Sequence, residues 1–352
     1  MIRGRQLSAG RLRSGLLSLL GWMVLVGITC PVQDATAASG GRIVWQAPIG
    51  REHPLTGRIW EVATGRFIDE HSLMDRLVDV RFVVTGESHN NPDHHQLQLR
   101  ILKAMFGNGR RLALGLEIFS TDDQAALDRL VAVDAEHLDD LVRALGWGKR
   151  HRAIWDQYRP LIRFAAEAAL PLVAMDISRR EAAAVMHSGT TALPPPLVER
   201  FALDRPLPAE QQATLIDDLL RAHCGLLFSQ NLDGLVLSQR TRDATMAERL
   251  QTADSGAGML LLAGYGHARG DRGVPYLLDD LRRRGVLVNV LFASVREGME
   301  SPAAYGTWFS AEHPPFDYVW FTPRVDDEDP CDRLRRIYQR DTVPPAPSSP
   351  DR

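Results

Sequence analysis

The sequence predicts an α/β fold: a mostly parallel sheet with helices on both faces, an N-terminal hairpin and a helical insertion. Three features predict it. Short, almost wholly apolar runs recur at 81–84, 112–118, 172–175, 258–263, 286–292 and 318–321, and strands apolar on both faces mark a parallel sheet covered on both sides. Segments with helical spacing of apolar residues separate them, at 93–106, 122–132, 137–145, 155–169, 179–187, 209–222, 231–250 and 275–284, the alternation expected of successive β–α units. Polar residues gather directly after several of the apolar runs, where open α/β sheets bind ligands.

The chain begins with a basic lead, Arg3, Arg5, Arg11 and Arg13, followed by an apolar run from Leu16 to Val26 broken only by Ser18 and Gly21. Ala35-Thr36-Ala37 then offers a small-residue cleavage site. Residues 1–37 read as a secretory signal peptide, which places the mature protein in the periplasm or cell envelope. Cys30 follows the apolar run closely enough to raise lipidation, the one route to membrane attachment. Thr29 before it departs from the usual small residue, which favours soluble export. No later segment approaches the ~20 apolar residues of a membrane span. Cys224 and Cys331 remain after cleavage; in an exported chain they either pair or stay as thiols. Lys and Arg number 41 against 44 Asp and Glu, a formal net charge of −3, so nucleic acid is not an expected partner.

Residues 38–330 then suffice for one large α/β domain. Residues 57–68 read as a hairpin turning at Ala63-Thr64-Gly65, and Ser72 with Asp75 suggests a capped helix running to Val78. The stretch from about 190 to 228 carries Pro194, Pro195, Pro196, Pro206 and Pro208 and reads as the helical insertion, a lid rather than a second domain. The tail over 331–352 ends in a Pro- and Ser-rich segment expected to be disordered.

Chemistry concentrates at 81–95, RFVVTGESHNNPDHH. The run Phe82-Val83-Val84 gives way at Thr85-Gly86 to Glu87, His89, Asp93, His94 and His95, with Asn91-Pro92 as a turn and Asp93 as the N-cap of the next helix. Polar residues also follow other runs: Glu117, Asp176, and the Gly264-Tyr265-Gly266-His267 loop with Arg269. A parallel sheet would bring Glu87, His89, Glu117 and His267 to one rim. Two imidazoles and two carboxylates suit acid–base work, or a zinc or manganese site in which His89, Glu117 and His267 are the ligands. Plainer readings stand beside these. A histidine at a strand end is more often a capping or hydrogen-bonded residue than a ligand. His95 shares a helical face with Leu99, Leu102 and Phe106, so it points inward. Glu117 suits a structural salt bridge as well as chemistry, and Trp155 and Tyr158 suit plain core packing.

The segments GESHNNPDHHQLQLRIL, LGLEIF, WDQYRPLIRFAAEAALPLVAMDISR, SQRTRDATMAERL and LLAGYGHARGDRGVPYLL follow one another as in the ChaN-like haem-binding uptake proteins of the Tiki superfamily, over roughly residues 57–322. The resemblance implies an α/β fold, export and a role in haem or iron uptake, with haem as cofactor held by tyrosine between two protomers of a homodimer. On that reading Tyr265 and Tyr158 are candidate ligands, with His95 as an alternative, and Trp155 and Trp147 line an apolar slot; Tyr276 also lies in a matched segment. The wider superfamily is similar at the positions of His89, Glu117 and His267 and includes metal-dependent proteases. That implies an alternative, a divalent-metal hydrolase in which Glu87 serves as base.

Overall fold

Apolar runs with no polar face can be satisfied only where both sides of the sheet are covered, and the chain folds accordingly. The computed structural model describes residues 42–131, 138, 145, 152–222, 224, 232–328 and 331–332. The leader with Cys30, the expected helix over 137–145 apart from Leu138 and Leu145, Trp147 and nearly all of the tail lie outside the described residues.

Eight strands form one sheet: β1 (Ile59–Glu61), β2 (Arg66–Ile68), β3 (Phe82–Glu87), β4 (Ala113–Ser120), β5 (Leu172–Asp176), β6 (Met259–Gly264), β7 (Leu287–Ser294) and β8 (Tyr318–Thr322), in the order β2-β1-β8-β7-β3-β6-β4-β5. The pairs from β8 through to β5 are parallel, and β3 lies at the centre between β7 and β6. The β1–β2 hairpin joins the edge, antiparallel to β8. The helices are α1 (Glu70–Asp79), α2 (Pro92–Gly107), α3 (Gln124–Val131), α4 (Arg152–Glu167), α5 (Arg179–Ser188), α6 (Pro195–Phe201), α7 (Ala209–Ala222), α8 (Leu232–Thr252), α9 (Val274–Leu277) and α10 (Asp279–Arg283). Thus helices occur within 190–222 as expected of the insertion, while the single helix expected over 275–284 is broken at Leu278.

Alternate strand residues feed two cores. On one face Val83, Leu114, Leu260 and Val290 meet Leu77 of α1, Ile101 and Met105 of α2, and Leu161 and Ala165 of α4. On the other, Val84, Ala113, Leu261 and Leu291 meet Ala247 and Leu250 of α8, with Tyr305 and Phe309. Burying such side chains is worth about 1.5–3 kcal/mol each, so the sheet is pinned from both sides and its strand ends are held at one rim. No described helix is long and apolar enough to cross a membrane.

Three local expectations are corrected. Helix α1 is capped by Asp69, whose carboxylate accepts the Ser72 N–H at 2.7 Å; Ser72 sits within the first turn. Helix α2 is capped by Asn91, which accepts from Asp93 N at 3.0 Å, with Pro92 at the first helical position. Asp93 instead accepts from the backbone N–H groups of Gln46 at 2.8 Å and Ala47 at 3.0 Å, tying the N-terminal segment to the helix. Finally, β3 does not stop at Val84. The ladder runs on to pair Glu87 with Gly264, because the Thr85 hydroxyl donates to Leu261 O at 3.0 Å and Gly86 fits closely against Ala268 and Phe316.

Cys224 and Cys331 are paired, with Cα atoms 5.2 Å apart across 107 positions of sequence. A crosslink closing so long a loop restricts the unfolded chain strongly. Cys224→Ser is expected to lower stability by about 2–5 kcal/mol, seen as a lower denaturant midpoint, and thiol titration of the unfolded, unreduced protein should find neither of these cysteines free.

Candidate functional site

The carboxyl ends of β3, β4, β5 and β6 meet where the sequence places its acidic and imidazole side chains, and they form two adjoining clusters. The first surrounds Glu87, the last residue of β3, which is buried. A buried carboxylate is tolerated only when its oxygens are matched by donors. Here Oε1 accepts from the hydroxyl of Tyr158 on α4 and from His89 Nδ1 at 2.9 Å, while Oε2 accepts from Gln98 Nε2 on α2. Burial alone would raise the Glu87 pKa, but the charge of His95 and the bonds from His89 and Tyr158 outweigh it and hold it below the ordinary value. His89 differs from its neighbours in being open, with its side chain 42 % exposed. Burial works to lower its pKa; the bond to Glu87 and the charges of Glu117 and Glu87 win and raise it to about 9.

The second cluster surrounds Glu117 on β4. Its Oε2 accepts the Gly264 N–H, and its Oε1 accepts from Arg242 at 2.9 Å and faces His267 Nε2 at 3.2 Å. Arg242, on α8, reaches past Glu117 to grip Asp176 at the end of β5, with Nε to Oδ1 at 2.9 Å and Nη2 to Oδ2 at 2.6 Å. His267 Nδ1 lies 2.6 Å from Asp243, also on α8. Burial opposes charge on His267, yet the two carboxylates raise its pKa to about 10. In turn, Glu117 is held well below the ordinary carboxylate value despite its burial, chiefly by His267 and then by His89 and Arg242.

The two clusters touch at Gly264. A Cβ on this residue would stand 3.2 Å from His89 Nε2 and 3.4 Å from Glu117 Oε2. So the structure does bring Glu87, His89, Glu117 and His267 together. It does not arrange them around a metal ion: among the described residues no group of three or more His, Cys, Asp or Glu could hold one. The cause is visible in the donors, since the oxygens of Glu117 and both nitrogens of His267 face protein partners.

The other site candidates divide by accessibility. His94 is wholly buried, accepts the Ser88 N–H at Nδ1 (2.9 Å) and meets Thr322 Oγ1 at Nε2 (3.0 Å); burial drives its pKa down to about 3, so it is a neutral structural residue. His95 points inward as expected, with Nδ1 3.0 Å from Gln98 Oε1, Nε2 on the His89 carbonyl at 3.1 Å, and its ring against Tyr158. Trp155 and Tyr158 are core residues. In Tyr158, burial and the neighbouring Glu87 keep the phenol protonated far above its ordinary range. Tyr265 is the exception: the residue is 48 % exposed at the rim, and its ring edge meets Phe309 at 6.0 Å between centroids. Sequence reasoning gave no role to Gln98, Arg242 or Asp243, nor to Gln239, whose side-chain amide lies 3.0 Å from His267 Nδ1. Gln239, Arg242, Asp243 and Met246 recur at three- and four-residue spacing, which sets polar groups on the buried side of α8 and was the available signal.

Because folding favours charged His267, its stabilising contribution is complete below its ordinary value of 6.5 and is lost as pH rises through about 10. The denaturation midpoint should therefore fall between pH 7 and 10, with a shallower fall in His267→Gln. Arg242→Ala, which strands Glu117 and Asp176, should cost on the order of 3 kcal/mol at pH 7.

The fold and motifs have counterparts among known proteins. A structure described as cofacial haem binding to ChaN of Campylobacter jejuni is similar, with a TM-score of 0.56 and 21 % identity over 74 % of this chain and 95 % of that one. The type III effector HopBA1 aligns with a TM-score of 0.39 at 13 % identity, over 72 % of this chain and 92 % of that one. An erythromycin esterase, EreC, in its open conformation aligns with a TM-score of 0.39 at 12 % identity, over 81 % of this chain and 100 % of that one. Values as low as these last two show neither a shared site nor a shared activity. Comparison with curated proteins gives no match. The family model described as haem-binding uptake, Tiki superfamily, ChaN matches residues 73–278, from α1 through the rim loop to α9, and the chain belongs to that family.

Proposed function

We propose that this protein binds haem outside the cytoplasm, in iron or haem uptake, with Tyr265 as the iron ligand. The observation that carries the choice of ligand is accessibility. Tyr265 is a half-exposed phenol at the rim, with no hydrogen-bond partner among the described residues, seated on an apolar base made by Phe309 and, behind it, Phe316. A phenol oxygen is a suitable ligand for ferric haem iron, and an open aromatic surface suits the porphyrin face. Tyr158 cannot serve without exposing the core and stripping a donor from Glu87, and His95 has both ring nitrogens engaged. Membership of the haem-binding uptake family supports the cofactor. Export is supported by the basic lead, the apolar run and Ala35-Thr36-Ala37, and by a Cys224–Cys331 disulfide, which suits an oxidising compartment. A homodimer, with two Tyr265 rims facing each other, is the assembly we favour for haem.

Haemin titrated into the purified mature protein should give a saturable Soret shift and a ferric phenolate spectrum. Tyr265→Phe should weaken binding at least ~10-fold, a loss of about 1.4 kcal/mol, and remove that spectrum, while Tyr158→Phe should preserve it. Absence of saturable binding in both monomer and dimer fractions would refute the proposal. Mass spectrometry of protein from its host should find the N-terminus at Ala38; an intact leader would refute export, and a lipidated Cys30 would replace soluble export with a membrane anchor.

A further inference from the structure

The loop after β6 that carries Tyr265 and His267 continues to Arg269, which lies outside both carboxylate clusters. Arg269 is wholly buried, and a guanidinium is tolerated there only when its donors are matched. Its Nε and Nη2 grip Asp271 at 2.8 Å and 2.6 Å, and its Nη1 donates to Asp218 of α7 at 2.9 Å. The remaining bond is the informative one. Nη2 also donates to the carbonyl of Phe309 at 3.0 Å, and the guanidinium carbon stands 5.0 Å over the centre of the Phe309 ring, close enough for a cation to be drawn to an aromatic face. Phe309 ends the 3-10 helix Pro302–Phe309, a place where backbone carbonyls lack helical partners. Arg269 therefore holds both the backbone and the ring of the residue that supports Tyr265, whose own ring meets Phe309 nearly at right angles. Tyr265 has its backbone tied to β3, with its N–H donating to Glu87 O at 2.9 Å. That leaves the direction of its ring to the contact with Phe309.

At the other end of these contacts is α7. Its Gln211, Thr214 and Asp218 recur at three- and four-residue spacing and so share one face. From that face Gln211 Nε2 donates to Asp271 O at 2.9 Å, Thr214 Oγ1 accepts from Arg272 Nη1 at 2.9 Å, and Asp218 accepts from both Arg269 and Arg272. The buried apolar cluster that α7 shares with α8 is small, Leu215 and Leu219 against Val236, so the polar face matters to its attachment. Within the insertion, then, α7 is a clamp on residues 269–272. We propose that Arg269, held by Asp218, is a positioning residue for haem: it fixes Phe309, and Phe309 fixes the ring of Tyr265 in the direction that presents its oxygen to iron. The inference rests on Tyr265 as the haem ligand. Arg269 is closed off from solvent and acts through Phe309. A ligand ring already held in place loses less freedom when haem binds, which favours affinity. Lysine cannot substitute, because only the planar fork of arginine serves Asp271, Asp218 and the Phe309 carbonyl at once.

Two measurements on the mature protein test this, the first without haem. The Tyr265 ring resonance, assigned in 13C-tyrosine-labelled protein by its loss in Tyr265→Phe, should be displaced by the ring current of Phe309. It should move back toward the position of free tyrosine in Phe309→Leu, and likewise in Arg269→Lys and Asp218→Asn. The second measurement is haemin titration. Arg269→Lys and Asp218→Asn should each weaken haem binding about 5-fold, the scale of coupling between contacting side chains, and alter the ferric phenolate spectrum. In a Tyr265→Phe background the same substitutions should have no further effect, which a merely structural role would not give. Arg283→Lys, at an exposed arginine of α10, should change neither readout. A Tyr265 resonance that stays in place in both variants would overturn the proposal, as would unchanged haem binding or an equal loss with and without Tyr265. If Arg269→Lys does not fold, Asp218→Asn and Phe309→Leu decide by the same readouts. A wild-type protein that binds no haem would refute the ligand reading instead, and the resonance alone then decides whether Arg269 positions Tyr265.

Discussion

The rim of this protein depends on the cost of burying carboxylates. Parallel strands deliver Glu87, Glu117 and Asp176 to the same edge of the sheet, and α8 adds Asp243 from the side. Left unpaired, each would be expensive in a low-dielectric setting. The structure matches them with three cationic or cation-forming groups, His89, Arg242 and His267, and with neutral donors from Tyr158, Gln98 and the Gly264 backbone. Arg242 spans the ends of β4 and β5, so it also fixes the spacing of two strands. Glu117 accepts from β6, which ties the rim loop carrying Tyr265 and His267 to the same network. Local geometry at the site is therefore a by-product of satisfying charge.

How much of this was legible in the sequence varies with the physics involved. The sheet was legible because strands buried on both faces must be almost continuously apolar, and Leu260, Leu261 and Leu262 leave no other reading. Convergence of the strand ends followed from that topology. Strand and helix limits were less legible. Gly86 looked like a break, yet the strand continues through it because the missing Cβ is what permits close packing. Asp93 looked like a cap, yet its carboxylate serves residues 46 positions and more away, which no local pattern reveals. The metal reading treated His89, Glu117 and His267 as free ligands. It could not foresee Arg242 and Asp243, which arrive from a helix more than a hundred positions beyond Glu117.

The same accounting separates roles among residues of one type. Three histidines of the opening motif have three fates: His94 is enclosed and neutral, His95 is spent on Gln98 and a backbone carbonyl, and His89 alone remains open. Likewise the phenol of Tyr158 is spent on Glu87, whereas that of Tyr265 is offered to the surface. Haem ligation, as proposed, therefore falls to the phenol that the charge network leaves free, in the loop directly after β6.

That division of labour rests on the protonation of the imidazoles, and it is tested most directly by following their ring nitrogens by 15N–1H NMR between pH 5 and 10. The account predicts that His94 stays neutral throughout, that His89 loses its proton near pH 9, and that His267 remains doubly protonated until about pH 10. His89 and His267 both titrating near 6.5, or His94 carrying a proton at pH 5, would contradict it.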